Sequence, residues 1–165
     1  DVLKKVKFPI VLDIYGIIDD ASYWKKCEAI IRRLPANIEV FYHGVIPHDQ
    51  VAGVLRQYDL FVLPTLGENY GHAIAEALSQ GTPVLISDLT PWRNLEDHGA
   101  GWDVSLNEAD RFLEVIKLVH TMDEQAYIAL RKSTINYARE RLTDPLIFQA
   151  SRDLMKAVLS VEGGE

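Results

Sequence analysis

Two hydrophobic rhythms alternate along the chain. Residues 9–15 form a short apolar run closed by Gly16, and residues 21–34 follow with Trp24, Cys27, Ile30, Ile31 and Leu34 at helical spacing. Residues 38–42 read as a second strand ending in His43-Gly44, and behind Pro47 the residues Val51, Val54, Leu55 and Tyr58 give a helical face. Leu60-Phe61-Val62-Leu63 is a continuous apolar run stopped by Pro64, the pattern of a strand covered on both faces. A helix is predicted over 71–80 with Gly81 at its C-terminal cap, then a strand over 83–87, a short helix over 91–97 and a turn at 99–102. Helices over 107–120 and 123–141 complete the series. Pro145 opens a last one reaching 161, capped by Thr143 or Asp144, because a proline's missing N–H costs nothing in a first turn.

Regular alternation of strand and helix requires parallel pairing with right-handed crossovers. The expected fold class is therefore α/β: a doubly wound, Rossmann-like parallel sheet with helices on both faces. Ligands of such sheets sit beyond the C-terminal ends of the strands, which here selects the loops at 16–20, 43–48, 64–70 and 87–91. A chain of 165 residues, 48% of them apolar, is long enough for one sizeable core, so residues 1–165 read as a single domain.

Charge and cysteine content narrow the chemistry. A net charge of -7, with no basic run carrying interleaved aromatics, argues against nucleic acid as a partner. An anionic ligand then has to be held by local dipoles and a few placed cations. Cys27 is the sole cysteine, which excludes an intrachain disulfide and a thiolate metal cluster and fits a reducing cytoplasm. His43, His48, His98 and His120 lack metal-ligand spacing, so no metal and no cofactor is expected. No apolar stretch approaches the roughly 20 residues that span a bilayer, and the start lacks a signal-peptide core.

The most informative stretch runs from Thr65 through Glu68-Asn69-Tyr70-Gly71-His72-Ala73 to Glu76. A strand ending at Pro64 and a helix opening near Gly71 put the free N–H groups of Gly71, His72 and Ala73 at the sheet's mouth, where the helix dipole favours an anion such as a diphosphate. Gly71 lets a phosphate or sugar approach the backbone. Glu76 lies about one and a half turns into the helix, and its Cα–Cβ bond tilts back toward the mouth, within reach of a ribose diol. Glu68, on the loop, faces the sugar beyond the distal phosphate. Taken singly, Glu68 reads equally as a solvated loop carboxylate and Glu76 as an exposed helix position. His72 can cap or touch substrate, while Arg93 is better read as a surface cation than as a phosphate ligand. Trp24, Tyr58, Phe61 and Phe112 are assigned to the core.

The Glu68 to Glu76 stretch resembles the signature of family 4 glycosyltransferases, in which a glutamate, a small-aromatic-Gly triplet and a second glutamate before Ala recur. Gly81-Thr82-Pro83-Val84 and Gly99-Ala100-Gly101-Trp102 resemble that family's continuation, and residues 40–46 resemble its base-reading strand and turn. The resemblance covers residues 9–141 and implies the C-terminal, nucleotide-sugar-binding half of a two-domain GT-B fold. It also implies retaining transfer from a UDP-sugar or GDP-sugar. On it, Glu68 is the catalytic contact to the donor sugar and Glu76 the ribose ligand. Thr65, Asn69, Tyr70, Gly71, His72 and Ala73 line the sugar-phosphate pocket, with Gly44 and Val45 at the base.

The family's Gly-Arg turn and following Lys-Gly, whose cations neutralise the diphosphate, have no counterpart here. The chain accordingly reads as a fragment without the N-terminal acceptor domain and the start of its own domain, inactive by itself. The family setting implies a sugar or lipid-linked sugar acceptor, surface polysaccharide or lipopolysaccharide synthesis, and a cytoplasmic location with peripheral association at the inner face of the membrane. The rivals are a sugar-nucleotide epimerase of the same fold and a non-catalytic nucleotide-binding partner. A nicotinamide-binding domain is disfavoured because Gly16-Ile17-Ile18-Asp19 supplies no Gly-x-Gly-x-x-Gly.

Overall fold

The computed structural model of the protein describes residues 2–143. Its elements run β1 (Ile10–Tyr15), α1 (Ala21–Ile31), β2 (Ile38–Gly44), α2 (His48–Leu55), β3 (Phe61–Leu63), α3 (His72–Ser79), β4 (Val84–Ser87), β5 (Gly101–Val104), α4 (Ala109–Thr121) and α5 (Glu124–Thr143). Every strand pairing is parallel, as the alternation requires. The pairings form two groups rather than one sheet: β1 with β2, and β3-β4-β5 in that order. The predicted helix from Pro145 lies outside the described residues, and Thr143 ends α5.

Local chemistry sets the element ends. Asp20 caps α1, its carboxylate accepting the N–H groups of Ser22 at 2.7 Å and Tyr23 at 3.0 Å. The Ser22 hydroxyl and these two N–H groups hold the Asp20 carboxyl below its usual range. α1 stops at Ile31, short of the expected Leu34, because Arg33 and Leu34 bond back three residues, to Ile30 and Ile31, ahead of Pro35.

Between β4 and α4 two segments depart from what the residue pattern predicts. Residues 91–97 are a turn and not a helix. The Thr90 hydroxyl accepts Trp92 N–H, and the Asp103 carboxylate accepts the N–H groups of Asn94 and Leu95 at 3.2 and 2.9 Å. Asn94 itself is left-handed at φ +58°. Side chains thereby take the donors that a helix would use. Gly101 and Trp102, expected in a turn, instead begin β5, because Gly101 lies so close to β4 that a Cβ would stand 2.2 Å from the Val84 carbonyl oxygen.

The core centres on β4, whose four residues are all buried. Val84 and Ile86 pack with Ile74, Leu78, Leu95 and Tyr137 on one side, while Leu85 joins Trp102, Val104, Phe112 and Val115 on the other. Helices α3 and α5 thus cover one face of this group and α4 the other, the doubly wound arrangement. Phe112 is core as expected, and Phe61 is partly buried against the opposite cluster, that of Ile74, Leu78, Val84 and Ile86. Trp24 tilts onto Tyr42 with ring centroids 4.8 Å apart, and Tyr58 meets the Tyr15 hydroxyl at 2.7 Å. Among the described residues no helix is long and apolar enough to cross a membrane.

Candidate functional site

Pro64 ends β3, and the loop it opens is shaped by hydroxyls. Thr65 Oγ1 donates to Gly67 O at 2.7 Å and accepts Gly67 N–H at 3.2 Å, so its side chain is engaged within the loop. Ser87 Oγ donates to Thr65 O at 2.6 Å, fixing the loop to the end of β4. From the other side the indole of Trp92, itself 3% exposed, donates to Tyr70 O at 2.7 Å. Nothing in the sequence around Trp92 announces this partner, 22 positions away.

Gly71 is the N-cap of α3 and lies at φ +78°, with no side chain capping the helix. Ala75 N–H makes the first intrahelical bond, to Gly71 O at 2.9 Å, so the donors of His72, Ala73 and Ile74 precede any helical carbonyl partner. His72 and Ala73 are exposed. The result is an uncapped positive helix end at the C-terminal mouth of β3.

One candidate carboxylate precedes it in the chain and the other lies within α3. Glu68 is exposed, accepts Asn69 N–H at 3.1 Å, and folds back so that its Cγ lies 3.2 Å from where a Gly71 Cβ would stand. Glu76 is partly exposed and its Oε1 lies 3.5 Å from Nδ1 of His48, the first residue of α2. His48 stands at the end of the 43–48 loop, one of the loops where ligands of such sheets sit. It is the group that joins the 43–48 loop to Glu76, a contact that depends on how two crossovers meet and that spacing does not encode. Tyr70 is half-exposed, its ring 4.7 Å from His72 and edge-on to Trp92.

On the far side of the mouth Gly44 ends β2 at φ +70°, and its carbonyl accepts Gly16 N–H at 2.9 Å. Tyr42 Oη donates to Gly16 O at 2.7 Å, so the loops after β1 and β2 are laced together, and Val45 projects 66% exposed beyond them. Arg93 is half-exposed and held between the Asp103 carboxylate at 3.4 Å and the Asp88 carbonyl, so its charge is already partly balanced. Among the described residues no cluster of His, Cys, Asp and Glu could hold a metal ion.

The family model for glycosyl transferases group 1 matches residues 1–141, most of the chain. The chain belongs to this family. The glycosyltransferase domain is 30% identical over 89 residues to an Escherichia coli UDP-Gal:alpha-D-GlcNAc-diphosphoundecaprenol alpha-1,3-galactosyltransferase, covering 53% of this chain and 22% of that one. It is 27% identical over 86 residues to the Escherichia coli O-antigen chain mannosyltransferase B, covering 52% of this chain and 22% of that enzyme. The chain therefore spans less than a quarter of the length of these relatives. The crystal structure of Anabaena Alr3699/HepE in complex with UDP-glucose superimposes with a TM-score of 0.75 at 18% identity, over 94% of this chain and 43% of that one. At that identity the likeness speaks for the fold, a Rossmann-like half of a GT-B arrangement.

Within this glycosyltransferase domain, Trp92 gives a direct check on how the site loop is held. Trp92→Phe keeps an aromatic ring but leaves the Tyr70 carbonyl without its donor, and is expected to destabilise the domain by about 1–3 kcal/mol. A lowered urea midpoint with an unchanged slope is the expected reading.

Proposed function

We propose that this chain is the donor-binding domain of a retaining, family 4 glycosyltransferase that moves a sugar from a UDP-sugar or GDP-sugar to a sugar or lipid-linked sugar acceptor. The observation that carries the reading is the N-terminus of α3, without a side-chain cap, at the C-terminal mouth of a parallel β-strand, with Glu68 on the loop before it and Glu76 within the helix. The diphosphate sits on the N–H groups of the first turn of α3, where the helix dipole stabilises it as bound donor and, more strongly, as departing leaving group. Glu76 accepts the ribose hydroxyls, and Glu68 contacts the donor sugar beside the breaking bond. Tyr70, His72, Ala73, Asn69 and Thr65 border the sugar-phosphate end, with Gly44 and Val45 at the base.

In the transfer, the bond from the anomeric carbon to the diphosphate oxygen breaks with its electron pair on the diphosphate. The acceptor hydroxyl oxygen bonds to that carbon, and its proton passes to the departing diphosphate oxygen. A second domain supplies the acceptor site, and the whole protein works in the cytoplasm, associated peripherally with the inner face of the membrane. The named activities of the two Escherichia coli relatives, one on a diphosphoundecaprenol-linked sugar and one on O-antigen, support a role in surface polysaccharide assembly.

Calorimetric titration with UDP, GDP and their common sugar conjugates tests the reading. One nucleotide series is expected to bind, and Glu76→Ala to weaken it about ten- to a hundredfold, the loss of one charge-assisted hydrogen bond. Binding that survives Glu76→Ala unchanged would overturn the ribose assignment. No binding of any nucleotide at millimolar concentration, by this chain and by the whole protein alike, would overturn the donor site.

A further inference from the structure

Carboxylates dominate the mouth at which the donor's diphosphate is placed. The loops at 16–20, 43–48, 64–70 and 87–91 carry Asp19, Asp20, Glu68 and Asp88, and neither lysine nor arginine. Their basic side chains are those of His43 and His48, joined by His72 at the start of α3 and Arg93 in the turn after β4. Most of these groups are engaged elsewhere. Asp20 caps α1, Arg93 is held by Asp103 and the Asp88 carbonyl, His43 is hydrogen-bonded to Asp13, and the His72 ring lies against Tyr70.

His48 differs in what it faces. Its Nδ1 lies 3.5 Å from Glu76 Oε1, and among the described residues it is the one ion-pairing partner of that carboxylate. The pair bridges α2 and α3, which pack side by side. α3 carries no second carboxylate, and α2 adds only Asp49 in its first turn. The His48 side chain is 91% exposed and that of Glu76 34%, so the histidine forms the open side of the pair. His48 follows Val45 in the same loop and thus stands between the base and ribose ends assigned to the donor.

A glutamate free to rotate loses side-chain entropy when a ligand fixes it. A charged imidazole beside Oε1 fixes Glu76 in advance and leaves Oε2, with its lone pairs, for the ribose hydroxyls. The same charge offsets the surrounding carboxylates as a diphosphate approaches. An exposed ion pair contributes little in water, but a nucleoside lying over this one displaces water and strengthens the attraction.

We propose that His48 is a positioning residue of the donor site, whose protonated ring holds Glu76 for the ribose and makes donor affinity rise as the pH falls from about 8 to about 6. Across that range histidine gains its charge while carboxylates keep theirs, so the pair is fully charged at the acid end. This role rests on the assignment of Glu76 to the ribose.

Calorimetry on the whole protein with UDP-galactose and GDP-mannose, followed with whichever binds, tests the role. The diphosphates of both are esterified at each end and do not titrate near neutrality. His48→Ala is expected to weaken binding about fivefold at about pH 6 and to flatten the pH profile. His48→Lys, charged throughout, is expected to bind within about twofold of the wild type at the acid end, with no pH dependence. In a Glu76→Ala background, His48→Ala is expected to change nothing further. Without nucleotide, the His48 ring protons followed by NMR over the same range are expected to titrate differently in Glu76→Gln. Superimposable titrations overturn the proposal, as does a Glu76-dependent affinity that His48→Ala leaves unaltered, and both results spare the donor site. Absence of binding by either sugar nucleotide, or binding indifferent to Glu76→Ala, overturns the donor-site reading and the role of His48 with it.

Discussion

Gly101→Ala is expected to unfold the β4–β5 half of the domain or to leave it barely stable at 25 °C. The added Cβ would stand 2.2 Å from Val84 O, 2.8 Å from Val84 N and 2.9 Å from Val84 Cγ2, and the first two are backbone atoms of a strand buried on both faces. No rotamer change relieves a clash with backbone, so β5 would have to move away from β4. That would break the register from Val84↔Gly101 to Ser87↔Val104 and open the cluster of Leu85, Trp102 and Phe112. The glycine's φ of +147° adds a conformational penalty for any L residue. Overpacking and backbone strain of this kind sum to about 3–6 kcal/mol, against a total domain stability of about 5–15 kcal/mol. Chemical denaturation followed by tryptophan fluorescence checks it, since Trp102 reports on β5 directly. Gly53→Ala is the control: its Cβ meets nothing within 4 Å inside α2, so the change should stabilise by about 0.5–1 kcal/mol. A folded Gly101→Ala with wild-type stability would mean that β5 does not pack on β4 in this way.

The same glycine explains what the sequence does and does not disclose. The strands at β1, β2, β3 and β4 are legible because each is an apolar run ended by Gly, Pro or Ser, and α3 because its apolar positions Ile74, Ala77 and Leu78 share one face. β5 is hidden because its first residue is a glycine needed for close approach, which reads from sequence as a turn. Residues 91–97 read as a helix because local propensity cannot anticipate Asp103, eight or nine positions away, taking the N–H groups of Leu95 and Asn94. The candidate site is legible where it lies in one continuous stretch, from Thr65 to Glu76. Its other members, His48 against Glu76 and Trp92 beneath Tyr70, come from different crossovers and meet it only in three dimensions. Pairing along the chain likewise predicts a parallel sheet, while the division of the strands into two groups emerges only from the hydrogen-bonded strand order.

Gly71→Ala tests the geometry of the site most sharply, because this one position holds Glu68, Trp92 and the start of α3 in mutual register. At φ +78° and ψ 57° an alanine carries a left-handed penalty of about 1–2 kcal/mol. Its Cβ would stand 2.9 Å from Ile74 Cδ1, 3.1 Å from Trp92 Nε1 and 3.2 Å from Glu68 Cγ. Each of these neighbours is a side chain, so the site can relax, but each relaxation moves a part of it. Glu68 swings off the helix mouth, and the Trp92 indole leaves the Tyr70 carbonyl at a further cost of about 1 kcal/mol. The expected result is a domain that still folds, destabilised by about 2–4 kcal/mol, and that binds nucleotide about ten- to a hundredfold more weakly. Gly67→Ala, in the same loop with open space around its Cβ, should leave stability within about 0.5 kcal/mol and binding unaltered. Calorimetry on the two variants under conditions where both are folded separates the cases. Equal binding by both would remove the close approach at Gly71 from the site, while loss confined to Gly71→Ala ties donor affinity to the backbone at the start of α3.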